Sequence, residues 1–377
     1  MIFNTQSKLN LFLNVLAQSK YGSINVYKDN KSIFSFNGEL PGPDANIKIL
    51  NEKCISDFFL RGDLGWAESY VDGNWETSNL TDFLEWGARN FHEFSKYVRG
   101  KWFTILYLRL KHHLKKNSQS GSKKNISFHY DLGNSFYEKW LDESMTYSSA
   151  IFKDPKDNLY KGQINKYENL ANITGVKEND KILEIGCGWG GLIDYISKSF
   201  NKTSVLATTI SQEQFNYANQ KLNKSKSKYD LTVVKKDYRD LLGKFDKIIS
   251  IEMFEAVGHE YWNTYFKKIR SLIKENGIVL LQVITIKDEK FEEYKNNPDF
   301  VQKYIFPGGM LPSTQILKKI INKNSLCIKS IDSYPLDYAK TLNIWRKNFN
   351  AEFYNIKKLG FDEKFSKLWN LYLAYCE

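Results

Sequence analysis

An α/β architecture, a doubly wound parallel sheet preceded by a smaller N-terminal α+β domain, is the fold class this sequence predicts. Three observations carry that prediction. From residue 180 onward, short and nearly unbroken apolar runs alternate with helical patterns; a glycine cluster sits where the first run passes into a helix; and a small polar stretch, Asn117-Ser-Gln-Ser-Gly-Ser-Lys-Lys-Asn125, interrupts the chain before them. Parallel strands are buried on both faces and so lack alternation, and their crossovers are helices. A small polar stretch without apolar periodicity reads as a linker.

The linker separates residues 1–117 from residues 125–377. Before it, residues 23–27 and 32–36 flank Asp29-Asn30 and read as a hairpin, and residues 46–50 form another strand. Helical patterns follow over 52–60 and 80–90. Segment 101–116, Lys-Trp-Phe-Thr-Ile-Leu-Tyr-Leu-Arg-Leu-Lys-His-His-Leu-Lys-Lys, mixes large apolar residues with cations. It fits an interfacial helix and a domain-packing helix with a solvated basic end alike.

After the linker the expected strands are 181–185, 204–210, 231–234, 245–251, 277–286 and 326–331. The expected helices are 192–199, 211–222 and 261–273.

The chain has 377 residues, enough for two domains with proper cores, and a formal charge of +11. That charge fits an anionic membrane surface or a general bias towards lysine. Four scattered cysteines, Cys54, Cys187, Cys327 and Cys376, make neither a disulfide framework nor a zinc site and suit a reducing cytosol. Neither a signal peptide nor a membrane-spanning run is expected, which leaves peripheral contact with the inner face of the membrane.

The chemistry starts at Ile182-Leu-Glu-Ile-Gly-Cys-Gly-Trp-Gly-Gly191. Gly186, Gly188 and Gly190 let the backbone turn tightly and approach a nucleotide-like ligand. On glycines alone, a nicotinamide dinucleotide and S-adenosylmethionine are equally admissible. Acid placement decides for S-adenosylmethionine. Glu184 directly precedes the glycines, where a carboxylate suits an ammonium and a sulfonium. The second strand ends Thr208-Thr-Ile-Ser211 without the acid that a dinucleotide ribose requires. Asp237-Tyr238-Arg239, after the third strand, is placed to hold an adenine.

Further runs fill out the pattern: His129-Tyr-Asp-Leu-Gly-Asn134, Met145-Thr-Tyr-Ser-Ser-Ala150, Asp237-Tyr-Arg-Asp-Leu241, Ile251-Glu-Met-Phe-Glu-Ala-Val-Gly258, Tyr304-Ile-Phe-Pro-Gly-Gly-Met-Leu-Pro-Ser313 and Tyr338-Ala-Lys-Thr-Leu342 with Trp345. In this order and over this span, the chain resembles the cyclopropane-fatty-acid synthase and mycolic acid cyclopropane synthase family. Gly62-Asp-Leu-Gly65 and Glu68-Ser-Tyr-Val-Asp-Gly73 extend the resemblance into the N-terminal part.

The resemblance implies a Rossmann-like class I methyltransferase sheet that binds S-adenosylmethionine through Tyr147, Ser148, Gly186, Gly188, Thr209, Gln214 and the Tyr238-Arg239 backbone. Gln214 has a second reading, because Ser211 and Gln214 form an S-x-x-Q capping box. The implied reaction transfers a methyl(ene) group to the double bond of an unsaturated phospholipid acyl chain in a membrane. The product is a cyclopropane, with methyl or methylene branching as the alternative and a non-catalytic lipid- or cofactor-binding homologue as the rival of another class. Aromatic residues such as Tyr137, Trp140, Phe254 and Trp345 could line the site of the carbocation, or serve as core. The implied base is a bound bicarbonate. Its holders map to Glu255 and Tyr338, with Ser149 where the family has Cys and Gln282 where it has His; His129 is expected to orient rather than to transfer a proton. A homodimer is compatible with this reading and a nucleic-acid partner is not expected. The family continues past the region of residues 374–377 into one more strand, so either a truncated product or a sheet with an exposed edge is expected.

Overall fold

The computed structural model describes residues 5–97, 121, 132–225 and 230–377. The 117–125 linker apart from Gly121, the basic 101–116 segment, and His129 lie outside the described residues. By its contacts the chain divides into one unit of Met1–Leu110 with Phe353–Glu377, and another of Lys111–Glu352. The expected domains are residues 1–117 and 125–377. The C-terminal stretch, expected in the second domain, belongs with the first.

In the first unit, helix α1 (Thr5–Leu16) precedes strands β1 (Tyr21–Lys28), β2 (Lys31–Asn37) and β3 (Leu40–Ile49). Asp29 and Asn30 both take left-handed φ, 50° and 59°, which is how a two-residue turn matches the twist of the hairpin β1–β2. Strand β3 pairs parallel to β1, and the short β4 (Trp75–Glu76) completes the order β2-β1-β3-β4. Helices α2 (Lys53–Val71) and α3 (Leu80–Ser95) cover this sheet with an aromatic chain, in which Trp66 stacks on Trp75 at 4.5 Å and Trp75 meets Phe83 at 4.9 Å. Asn90, fully buried on α3, accepts the Lys20 and Tyr21 N–H groups at 2.7 and 3.0 Å and donates to the Tyr21 carbonyl at 3.0 Å. That clamp fixes where β1 begins.

In the second unit, α4 (Leu159–Thr174) starts at Asn158, whose side chain accepts the Lys161 N–H, and ends at left-handed Gly175. Strand β5 (Lys181–Ile185) leads to α5 (Gly191–Ser199), β6 (Ser204–Thr209) to α6 (Gln212–Ser225), and then come β7 (Leu231–Lys235), β8 (Phe245–Ile251), α7 (Trp262–Leu272) and β9 (Ile273–Gln282). All five strands run parallel in the order β7-β6-β5-β8-β9. Consecutive residues point to opposite faces. Ile182 and Ile249 join a core with α4, α5 and α6, whereas Leu183 and Ile248 join one with α7 and α8 (Thr314–Lys323). Truncating fully buried Ile248 to Ala would cost about 2–5 kcal/mol, because neither layer can collapse into the hole.

In the second unit, two expected strands differ from the structure. The last strand is β9 at Ile273–Gln282, not 277–286, because it begins pairing directly at the end of α7 with a register irregularity against β8. Residues 326–331 form no strand; Ile328 and Ile331 are exposed there, and β9 remains the edge of the sheet. The chain continues through α9 (Pro335–Ala351) and, in the first unit, α10 (Glu363–Cys376), which packs on α2 and α3.

Candidate active site

The sheet reverses its strand order between β5 and β8, and a pocket opens beyond the carboxyl ends of these strands, where an α/β sheet receives its ligands. Residues 145–148, the turn after β5, the end of β6 with Gln214, residues 236–239 and the start of the turn after β8 line it. Gly186, Gly188 and Gly190 all have left-handed φ, of 84°, 52° and 81°. A Cβ on Gly186 would sit 2.6 Å from the Met253 side chain, whereas at Gly188 it would meet only open pocket. The backbone at Gly188 is thus the part of the loop that a ligand can touch.

Glu184 lies under this turn, buried, with Oε2 lacking a hydrogen-bond partner. Burial pushes its carboxyl up to about 8, with the Lys166 ammonium pulling against that rise. A buried carboxylate at a glycine turn with one oxygen left without a partner is the environment that a ligand ammonium satisfies. Lys166 is itself fully buried; it donates to the Ser148 hydroxyl at 2.6 Å, and burial lowers it to about 8. Sequence reasoning missed Lys166, because on a helix its type and position resemble those of a solvated lysine.

On the opposite wall, the Thr209 hydroxyl donates to Gln214 Oε1 at 2.8 Å, and Gln214 N–H reaches Ser211 Oγ at 3.3 Å. The capping box is therefore only half made. The Gln214 side chain turns to Thr209 and the pocket instead of back to the Ser211 N–H, which bonds Thr209 Oγ1. Asp237 binds the Arg239 guanidinium and N–H at 2.8–2.9 Å, so its carboxylate is engaged within the turn. Tyr238 is buried, and desolvation pushes its phenol up to about 12.

Beyond the pocket runs an aromatic wall. Trp189 meets Tyr137 at 4.8 Å, Tyr137 meets Tyr147 at 5.6 Å, Tyr147 meets Trp345 at 5.2 Å, and Trp345 meets Tyr338 at 6.5 Å. Trp189, whose indole N–H donates to Asn134 at 2.7 Å, was hidden inside the glycine motif. Phe254 stands elsewhere, packed on Trp262, Tyr265 and Phe266 in the core.

At the end of this wall two acids stand close together, and the expected holder is Glu255. Glu252, not Glu255, gathers Ser149, Gln282 and Tyr338. Its Oε1 accepts the Ser149 N–H at 2.9 Å and the Gln282 amide at 2.8 Å, and its Oε2 accepts the Tyr338 hydroxyl at 3.1 Å. The Ser149 hydroxyl turns away to the Ala150 carbonyl. Glu255, three residues on in a single turn of 3₁₀ helix, accepts the Ile284 N–H at 2.5 Å, and its carbonyl takes the Met310 N–H. Burial, and then the neighbouring Glu252 charge, push Glu255 up to about 8. The run Glu252-Met-Phe-Glu255 offered two acids, and only the turn decides which of them faces Tyr338.

Known proteins agree with this architecture. Residues 117–377 match the family described as mycolic acid cyclopropane synthetase. The chain is 34% identical over 324 residues to tuberculostearic acid methyltransferase UfaA1 of Mycobacterium tuberculosis, covering 84% of this chain and 75% of that protein. It is 33% identical over 354 residues to the cyclopropane-fatty-acyl-phospholipid synthase of Escherichia coli, covering 91% and 85%. The solved structure of mycolic acid cyclopropane synthase CmaA1, complexed with SAH and CTAB, superposes with a TM-score of 0.63 at 28% identity over 67% of this chain and 92% of that one. Coclaurine N-methyltransferase, at 16% identity and a TM-score of 0.61, shares the fold alone. The glycine turn, the buried acid beneath it and these likenesses lead to one conclusion: the chain belongs to the mycolic acid cyclopropane synthetase family and is a lipid-modifying, S-adenosylmethionine-dependent methyltransferase with a class I sheet.

Proposed function

We propose that the protein transfers a methyl(ene) group from S-adenosylmethionine to the double bond of an unsaturated phospholipid acyl chain and closes it to a cyclopropane. The observation that carries this reading is the continuous aromatic wall from Trp189 to Tyr338, ending on the half-buried carboxylate of Glu252. An alkene is a weak nucleophile and its product cation needs a dry site, π faces and a base; the wall offers the π faces, and a carboxylate stands at its end. S-adenosylmethionine contributes a methyl on a sulfonium: the alkene pair forms the new C–C bond as the C–S bond breaks, and neutral S-adenosylhomocysteine leaves.

In this reading Glu184, Tyr147, Ser148, the three glycines, Thr209, Gln214 and residues 237–239 hold the donor. Ser149, Gln282, Tyr338 and the acids at 252 and 255 form the far end. A phospholipid substrate is supported by the likeness to the Escherichia coli synthase, which extends through the N-terminal unit, whereas that to cyclopropane mycolic acid synthase 1 of Mycobacterium tuberculosis covers 60% of the chain. Among the described residues no helix is long and apolar enough to cross a membrane. The +11 charge is suited to attraction towards anionic headgroups, so we place the protein peripherally on the membrane.

A second reading, a methyl- or methylene-branched acyl chain, draws support from the likeness to the methyltransferase UfaA1. Incubation with labelled methyl donor and vesicles of monounsaturated phospholipid, followed by NMR of the recovered acyl chains, tests both. Cyclopropane methylene protons support the proposal, exocyclic methylene protons support the second reading, and no incorporation of label overturns the assignment to unsaturated phospholipids.

A further inference from the structure

The donors for which the resemblance implies a bound bicarbonate already surround a carboxylate of the chain itself. Ser149 N–H, the Gln282 amide and the Tyr338 hydroxyl converge on Glu252 at 2.8–3.1 Å, and Glu252 also lines the donor pocket. Bicarbonate does not fit this arrangement, since a second anion would have to share the same three donors beside a like charge that is partly withdrawn from water.

The backbone shows the same commitment. Glu252 holds φ at +46°, a left-handed conformation that costs a residue with a Cβ and is relaxed only in glycine. Its N–H bonds the Gln282 carbonyl at 2.8 Å, so strand β9 supports it through both the main chain and the side chain. A strained, half-buried glutamate with three donors is costly to keep for packing alone.

We propose that Glu252 is the general base of the reaction, a resident carboxylate in place of an exogenous anion. It takes one proton from the transferred methyl group, and the released C–H pair forms the bond to the cationic carbon, closing the ring. Alkene and S-adenosylmethionine thereby become cyclopropane, S-adenosylhomocysteine and the proton on Glu252, with no further reactant. Tyr338 and Gln282 orient the carboxylate. Burial raises Glu252 above the ordinary carboxylate range, which makes it a stronger base than an exposed glutamate. The inference rests on the proposed reaction, but its test need not.

Carbonate dependence and Glu252→Gly decide it. That substitution removes the carboxylate, relieves the backbone and leaves the three donors around a hole the size of a small anion. Two readouts on the full chain, loaded with S-adenosylhomocysteine or turning over lipid, are expected. First, ¹³C-labelled bicarbonate titrated into the wild-type protein should show no bound signal, whereas the Glu252→Gly variant should bind it and the Glu252→Gln variant should not. Second, wild-type turnover in carbonate-depleted buffer should stay within about twofold of its original rate. Glu252→Gly should then lose at least ~100-fold, a typical contribution of a general base, and recover in part with added bicarbonate. Unchanged affinity for S-adenosylhomocysteine shows that the variants are folded. Saturable bicarbonate binding to the wild type, a wild-type rate that needs carbonate, or a Glu252→Gln variant as fast as wild type overturns the inference. A wild type that modifies no unsaturated lipid overturns the proposed substrate instead, and the bicarbonate titration still decides the place of Glu252.

Discussion

The Tyr338 hydroxyl donates to Glu252 Oε2 at 3.1 Å, while the other oxygen of that carboxylate is held by Ser149 and Gln282. Helix α9 sets the position of Tyr338: Asp337 at its start accepts the Phe152 N–H at 2.7 Å, and the Thr341 hydroxyl accepts the Ala150 N–H at 3.1 Å. The stretch that carries Tyr147, Ser148 and Ser149 is thus clamped to the helix that carries Tyr338. Tyr338→Phe should remove one charge-assisted hydrogen bond, worth about 1.5–3 kcal/mol, and so lower turnover by roughly 10–150-fold. Affinity for S-adenosylhomocysteine should not change. Equal losses in both would show that the tyrosine acts through the fold and not on the carboxylate.

Glu184 makes ligand binding a proton-linked event. Its carboxyl stands at about 8 in the free protein, and a bound ammonium or sulfonium favours the ionised form. Near neutral pH, binding should therefore release up to about one proton, with none released well above the raised value. Calorimetric titration of S-adenosylmethionine in buffers of different ionisation enthalpy should show that release. Glu184→Gln should abolish it and weaken binding; a buffer-independent heat in the wild type contradicts the placement of the ligand cation over Glu184.

The two glycines of the turn should fail for different reasons. Gly186→Ala brings a Cβ to 2.6 Å from the Met253 side chain at a φ of 84°, so it should lower the melting temperature as well as the affinity. At Gly188 the space around a Cβ is open in the pocket, so Gly188→Asp should leave most of the stability and abolish S-adenosylmethionine binding. Thermal melts with and without ligand distinguish them: a ligand-induced rise in the Gly188→Asp protein would show that the loop is not the contact surface.

Glu255 should reveal itself in stability against pH. Its folded value of about 8 lies above its ordinary 4.5, so the folded state binds the extra proton between them. The associated stability is fully present below about 4.5 and is lost as pH rises through 8. Glu255→Gln should flatten that decline by a few kcal/mol, leaving the smaller slope from Glu184 and Glu252. Urea unfolding across the window checks the sign; an unchanged slope would mean that Glu255 is ionised in the folded protein.

The strand–helix alternation, the hairpin at Asp29-Asn30 and the glycine turn after β5 were all legible in the residues, because each depends on local properties. Apolar runs without alternation require burial on both faces, and two turn residues with left-handed φ suffice for the hairpin. Ser149, Gln282 and Tyr338 could be named from the resemblance, but their meeting point could not. They come from a loop, a strand end and a helix far apart in the chain, and a single 3₁₀ turn determines whether Glu252 or Glu255 faces them. Burial likewise lies beyond the sequence. Lys166 reads as an ordinary lysine on a polar helix, yet packing removes its water and leaves Ser148 and the nearby acids as its surroundings. The C-terminal helix was assigned to the wrong unit for a related reason: Ala374-Tyr-Cys-Glu377 carries no local mark of its partner, and only the apolar faces of α2 and α3 decide where α10 is buried. Local conformation follows from neighbouring residues, whereas the base and the charges around it follow from side chains that only the folded chain brings into contact.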